Sequence, residues 1–161
     1  VAAAILRAMV SWTEFEQEEP TFAAEVHERF TATKHHVLAT LRADGSPRVS
    51  GTEVDFSHGH LQFGSMLKAR KAADLQRDGR CALHANPGDG SMTKPDAKVS
   101  GVAAEVDDPE VKGLLEPGEA PPDYHLFRLD LTEAVLTKPE GDVLVIRRWT
   151  PGAGVQRFAR R

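Results

Sequence analysis

The sequence is short of most features that would mark a specialised chain. It has a single cysteine, Cys81, in 161 residues. No internal disulfide can form, which suits a reducing, cytoplasmic setting. No apolar run approaches the roughly 18 residues needed to cross a bilayer, so no membrane partner is expected. Charge of one sign is not in surplus: 24 acidic against 20 basic residues leave a net −4. That balance lacks the signature of a polyanion binder, which argues against nucleic acid. Internal repeats, low-complexity tracts and domain linkers are absent too. The apolar opening VAAAILRAMV is brief, is interrupted by Arg7 and has no basic segment ahead of it. It does not read as a signal peptide. Residues 1–10 are expected to be a disordered extension, with Met9 a candidate start, of a single domain spanning 1–161.

The patterns that are present alternate. Phe22, Val26 and Phe30, after Thr21, have the spacing of an amphipathic helix. The period then falls to two. Residues 35–41 and 47–56 read as strands joined through Asp44-Gly45, a strong hairpin signal. Residues 60–66 form a third strand, and 67–78 a second helix. Further strands are expected over 80–86, 97–108, 124–138 and 143–149, with a loop over 87–96 that is either a lid or a mere connection. Asp108-Pro109 suits the start of a short helix through Leu115, followed by a loop to Asp123. About seven strands at hairpin spacing with few helices predict a mainly β fold with peripheral helices, an antiparallel barrel or sandwich.

The stretch FGSMLKARKAADLQRDGR, 63–80, has an unusual charge order. Lys68, Arg70 and Lys71 crowd the start of a helix, where the partial charge is already positive. A phosphate held at the free amides of that turn would reverse the conflict. Gly64 and Ser65 then permit close backbone approach and a hydroxyl contact. The competing reading is a solvated face, with Asp74 pairing with Arg70 at i+4 and Lys71 at i+3. Arg48 lies on the second strand, on one face with Ser50 and Thr52, and can lie beside the helix start.

Residues 34–107 resemble the core of the pyridoxamine 5′-phosphate oxidase-like split-barrel family. The resemblance lies in an Arg after the first hairpin, a strand ending in small polar residues, and Arg-Lys opening a helix. Arg48, Ser65, Arg70 and Lys71 stand at those positions. It implies an antiparallel split β-barrel, a homodimer, and FMN bound at the subunit interface. Arg48, Arg70 and Lys71 would grip the cofactor phosphate, with Ser65 helping, while Val49, Ser50 and Gly51 run past the ring. Trp149 and Arg157 would approach from the tail. A related branch uses coenzyme F420, a deazaflavin, through a similar cradle. The implied activity is hydride transfer to or from a small organic substrate, and the alternative is a flavin or haem carrier without turnover.

The chain departs from the family pattern in places. Ala69 replaces a serine, Thr52 and Glu53 stand where a lysine is usual, and the late Arg-x-His substrate motif has no counterpart. Catalytic residues are therefore unassigned. His36, His84 and His125 are candidate haem ligands. No ligand quartet has metal-site spacing, so no metal is expected.

Overall fold

Ser11 opens the first helix with a reciprocal cap. In the computed structural model, which describes residues 8–108 and 123–161, its hydroxyl accepts from the Glu14 amide at 3.3 Å. The Glu14 carboxylate accepts from the Ser11 amide at 2.6 Å. Helix α1 (Trp12–Glu18) gives way at once to α2 (Pro20–Thr31). Pro20 cannot sit inside a helix but suits its first turn, so one amphipathic stretch becomes two helices. Their inner faces bury Trp12, Phe15, Phe22, Val26 and Phe30.

Nine strands follow among the described residues: β1 (His36–Leu41), β2 (Pro47–Thr52), β3 (Asp55–Ser57), β4 (His60–Met66), β5 (Arg80–His84), β6 (Asp96–Glu105), β7 (Tyr124–Glu140), β8 (Val143–Thr150) and β9 (Gly154–Arg160). All pair antiparallel, in the order β2-β1-β5-β6-β7-β4-β3. The Asp44-Gly45 turn joins β1 to β2 as the sequence predicts, with Gly45 at φ 82°. The 17-residue β7 is the spine. It pairs with β6 on one side, and on the other first with β4 and then with β8, which carries β9.

Strands β2 and β4 approach each other but share no ladder among the described residues. The barrel is left open at that seam. Helix α3 (Arg70–Arg77) packs against β1, β4 and β6. This is an antiparallel split β-barrel, and its core runs from α1 and α2 through Leu38, Phe63, Leu83, Phe127 and Leu129. Each such fully buried side chain contributes about 1.5–3 kcal/mol.

Several boundaries differ from the sequence reading. The strand expected over 47–56 is broken at Glu53 and Val54, and its halves end up on opposite edges of the sheet. The last strand, β9, lies beyond the final strand that the sequence pattern predicts. Val10 pairs with Leu131 through two backbone hydrogen bonds, at 3.1 and 2.7 Å, so the expected extension is anchored by residue 10. The loop 87–96 is tied to α2 by Lys94 and Glu28 at 2.9 Å. The helix expected over 109–115, the loop up to residue 122 and residues 1–7 lie outside the described residues.

A register shift between Ser100 and Gly101 kinks β6 against β7. A Cβ on Gly101 would fall inside the contact distance of the Asp130 carbonyl oxygen, which is backbone and cannot swing away. We expect Gly101→Ala to lower unfolding free energy by about 1–3 kcal/mol. Denaturant unfolding measures this, and a variant as stable as the parent would mean that the strand accommodates the methyl.

Candidate functional site

The cationic corner forms where β4 runs into α3. A turn at Met66–Ala69, closed by the Ala69 amide on the Met66 carbonyl at 3.1 Å, separates strand from helix. Lys68 sits in that turn at φ 63°, in the left-handed region, so it precedes the helix rather than opening it. The helix starts at Arg70. Its N-cap, Ala69, offers no side-chain acceptor, and the first turn holds no acidic residue. The Ala72 amide donates to the Ala69 carbonyl at 3.1 Å, which leaves those of Arg70 and Lys71 for solvent or a ligand.

Asp74 decides between the two readings of this charge cluster. It was expected on the solvated arc; instead it is 3% exposed, and neither Arg70 nor Lys71 pairs with it among the described residues. The correction has a physical reason. The arc of a lone helix cannot show that β1 and β2 cover that side. Thr40 on β1 and Arg48 on β2 face each other in register, and both reach Asp74 Oδ2. The Thr40 hydroxyl donates at 2.8 Å and Arg48 Nε at 2.6 Å, while Arg77 Nη2 donates to Oδ1 at 3.2 Å. Burial pushes the carboxyl upward, but these hydrogen bonds outweigh it and hold Asp74 below the usual carboxylate range.

With Asp74 so engaged, the corner's other cations go unneutralised. Lys68 and Arg70 are exposed and make no ion pair among the described residues. Lys71 is half-buried, and its Nζ donates to the Gly51 carbonyl on the free edge of β2 at 2.9 Å. Burial lowers the Lys71 pKa, as expected of an ammonium that has lost water and gained no anion. Ser65 adds an independent observation. It is 5% exposed, and its Oγ has no hydrogen-bond partner among the described residues. A buried hydroxyl without a partner is uncommon and invites one. Gly64 beside it is exposed, and a Cβ there would make only ordinary contacts, 3.7 Å from the Tyr124 ring and 3.8 Å from the His125 carbonyl.

Val49 and Ser50 share the β2 strand with Arg48 but point to opposite faces. Val49 is 72% exposed and Ser50 lies on the Arg48 face. Trp149 is not part of this corner. It is fully buried and packed against Phe15, with ring centroids 4.2 Å apart and planes tilted by 39°. The structure thus puts it in the core, because α1 folds back over β8, a contact between residues far apart in sequence. Arg157 pairs with Glu140 at 3.0 Å. Cys81 is buried, and burial pushes its thiol up to about 12, so it stays protonated and is a poor nucleophile.

Residues 22–138 match the model of the family described as pyridoxamine 5′-phosphate oxidase. Among solved structures, the chain is similar to PhzG from Burkholderia lata in complex with tetrahydrophenazine-1-carboxylic acid, at 15% identity over 93% of each chain and a TM-score of 0.63. It is also similar to a pyridoxamine 5′-phosphate oxidase-related, FMN binding protein from Nostoc punctiforme. There the identity is 15% over 89% of this chain and 96% of that one, with a TM-score of 0.60. A heme binding protein from Mycobacterium smegmatis shares 17% identity over 79% of this chain and 57% of that one, again with a TM-score of 0.60. At these identities the likeness is one of fold. No curated protein sequence matches the chain.

The three candidate haem ligands are all engaged at Nδ1. His84 Nδ1 lies 2.5 Å from the Ala85 carbonyl, and His125 Nδ1 lies 2.5 Å from Glu105. His36 is buried beside the Phe30 ring and accepts from the Asn86 amide through Nδ1 at 3.0 Å. Among the described residues, no three His, Cys, Asp or Glu side chains gather as a metal site. Burial lowers the His36 pKa, and that of His60 likewise. As the pH falls, the unfolded chain therefore takes up these protons first. Their contribution to stability is complete above about pH 6.5 and is lost as the pH falls through the lowered folded values. Unfolding free energy measured against pH is expected to decline below that point. His36→Gln, which keeps an acceptor but does not titrate, should flatten the decline; an unchanged slope would contradict the assignment.

Proposed function

Because this chain belongs to the pyridoxamine 5′-phosphate oxidase family, we propose that it binds FMN at the seam and works as an oxidoreductase on a small organic substrate. The observation that carries the reading is the corner itself. Lys68, Arg70 and Lys71 lack a carboxylate partner among the described residues, and the buried Ser65 hydroxyl lacks any partner. A terminal phosphate supplies what every one of them is missing. Arg48, Ser65, Arg70 and Lys71 would hold it, with Gly64 leaving room and Lys68 adding charge from the turn. Val49 and Ser50, on the free edge of β2, belong to the ring side.

When bound, the flavin supplies two-electron hydride chemistry. The protein's part is to bind, orient and shield. Lys71 is already stripped of part of its water, so an anion meets it at lower cost. No acid or base of this chain is assigned to the substrate.

We further propose a homodimer. Val49 and Met66 are each 72% exposed, Leu67 is 50% exposed, and Val37 on β1 is also open. Val49 and Met66 lie on the two strands that bound the seam, Leu67 in the turn beyond β4 and Val37 on the neighbouring β1, and a second copy would cover them.

The cofactor is tested by the absorption spectrum of the purified protein and by titration. A two-band flavin spectrum supports FMN, a single deazaflavin band after adding F420 supports that coenzyme, and a Soret band supports haem. Arg70→Ala with Lys71→Ala is expected to weaken FMN at least tenfold, since charge-assisted hydrogen bonds contribute about 1.5–3 kcal/mol each. The fold should survive and riboflavin affinity should not change; equal FMN affinity would remove the phosphate from this corner.

The dimer is tested by sedimentation. The parent should run at twice the chain mass, and Val49→Asp should shift it toward one. A monomeric parent would overturn this part of the reading.

A further inference from the structure

We infer that Asp74 is a positioning residue for the cofactor phosphate, acting through Arg48; this rests on the reading of the corner as a phosphate site. Arg48 stands on an edge strand, where a long side chain would ordinarily sample many rotamers. Here its Nε is fixed to Asp74 Oδ2 at 2.6 Å, and the side chain is only 18% exposed. A guanidinium is planar and rigid, so fixing Nε sets the orientation of the whole fork. The terminal nitrogens make no hydrogen bond among the described residues. They are the donors left for a ligand.

Asp74 is itself held from three elements. Thr40 of β1 donates to the oxygen that Arg48 uses, and Arg77 of α3 donates to the other oxygen at 3.2 Å and to the Leu41 carbonyl at 2.5 Å. The carboxylate therefore cannot turn away from Arg48 without breaking other bonds. It also places one negative charge between Arg48 and Arg77, which limits their mutual repulsion. Binding then fixes an arginine that is already ordered, and the entropy loss on association is smaller. The roles divide accordingly: Arg70 and Lys71 supply the open charge, and Arg48 supplies geometry set by Asp74.

The test is a double-mutant cycle read by quenching of flavin fluorescence, with riboflavin as the phosphate-free control and thermal melting as the check on folding. Asp74→Asn is expected to weaken FMN about five- to twentyfold and leave riboflavin unchanged. In an Arg48→Ala background the same substitution should add less than twofold, because the residue it positions is gone. Losses that multiply in the double variant, or that fall equally on FMN and riboflavin, would reduce Asp74 to a fold residue and overturn the inference.

Should Asp74→Asn fail to fold, Arg48→Lys carries the test, since it keeps the charge and removes the fork. Positioning predicts an FMN loss close to that of Arg48→Ala, and affinity near the parent's overturns it. A parent protein that binds FMN no better than riboflavin would remove the phosphate site and this inference together. A parent that prefers FMN, with an Asp74→Asn variant that prefers it equally, would remove the inference alone.

Discussion

The buried carboxylate of Asp74 ties helix α3 to the β1–β2 hairpin, to which no backbone ladder joins it. Strand β1 reaches it through Thr40, β2 through Arg48, and α3 carries it. An unpaired charge so deep would cost several kcal/mol, and removing one partner of a buried pair is typically strongly destabilising. The tie therefore fixes where α3 sits over the barrel's open seam. Ala72 and Leu75 add apolar contacts, and Lys71, Gln76 and Arg77 add exposed hydrogen bonds to Gly51, Glu105 and the Leu41 carbonyl.

That constraint explains the charge order along 68–77. A helix whose only acid is turned inward cannot neutralise its own amino-terminal cations. Arg77, by contrast, sits in the last turn, where positive charge suits the helix dipole, and it closes on Asp74 and the Leu41 carbonyl. The two ends of α3 thus differ in kind. One is internally satisfied, and the other is left with charge and free amides. The orphaned Ser65 hydroxyl ends β4 just before that second end.

Much of this was legible from residue order. The hairpin through Asp44-Gly45, the helix carrying Phe22, Val26 and Phe30, and an antiparallel barrel or sandwich follow from local periodicity and turn chemistry, while the split form of the barrel is implied only by the family resemblance. The cap of α1 is legible too, since Ser11 and Glu14 have the capping-box spacing. The misplacements share one cause. Asp74 and Trp149 owe their positions to partners far away in the chain, Arg48 and Phe15, and a helical arc or strand parity carries no information about what folds over it. Strand β9 is hidden in the sequence for another reason. Gly154–Arg160 is exposed along nearly all its length, so its sequence carries no buried stripe to betray a strand.

The lysine bridging to β2 has an effect on the protein's behaviour in a crowded solution. Strand β2 is an outermost strand, and its bare carbonyls and amides are a template on which a foreign strand could grow. Lys71 places an ammonium on the Gly51 oxygen, and Pro47 begins the strand with a residue that has no amide hydrogen to offer. Two of the bonds such a foreign strand would need are thereby denied to it. The geometry that readies the corner for an anion also discourages aggregation along this border.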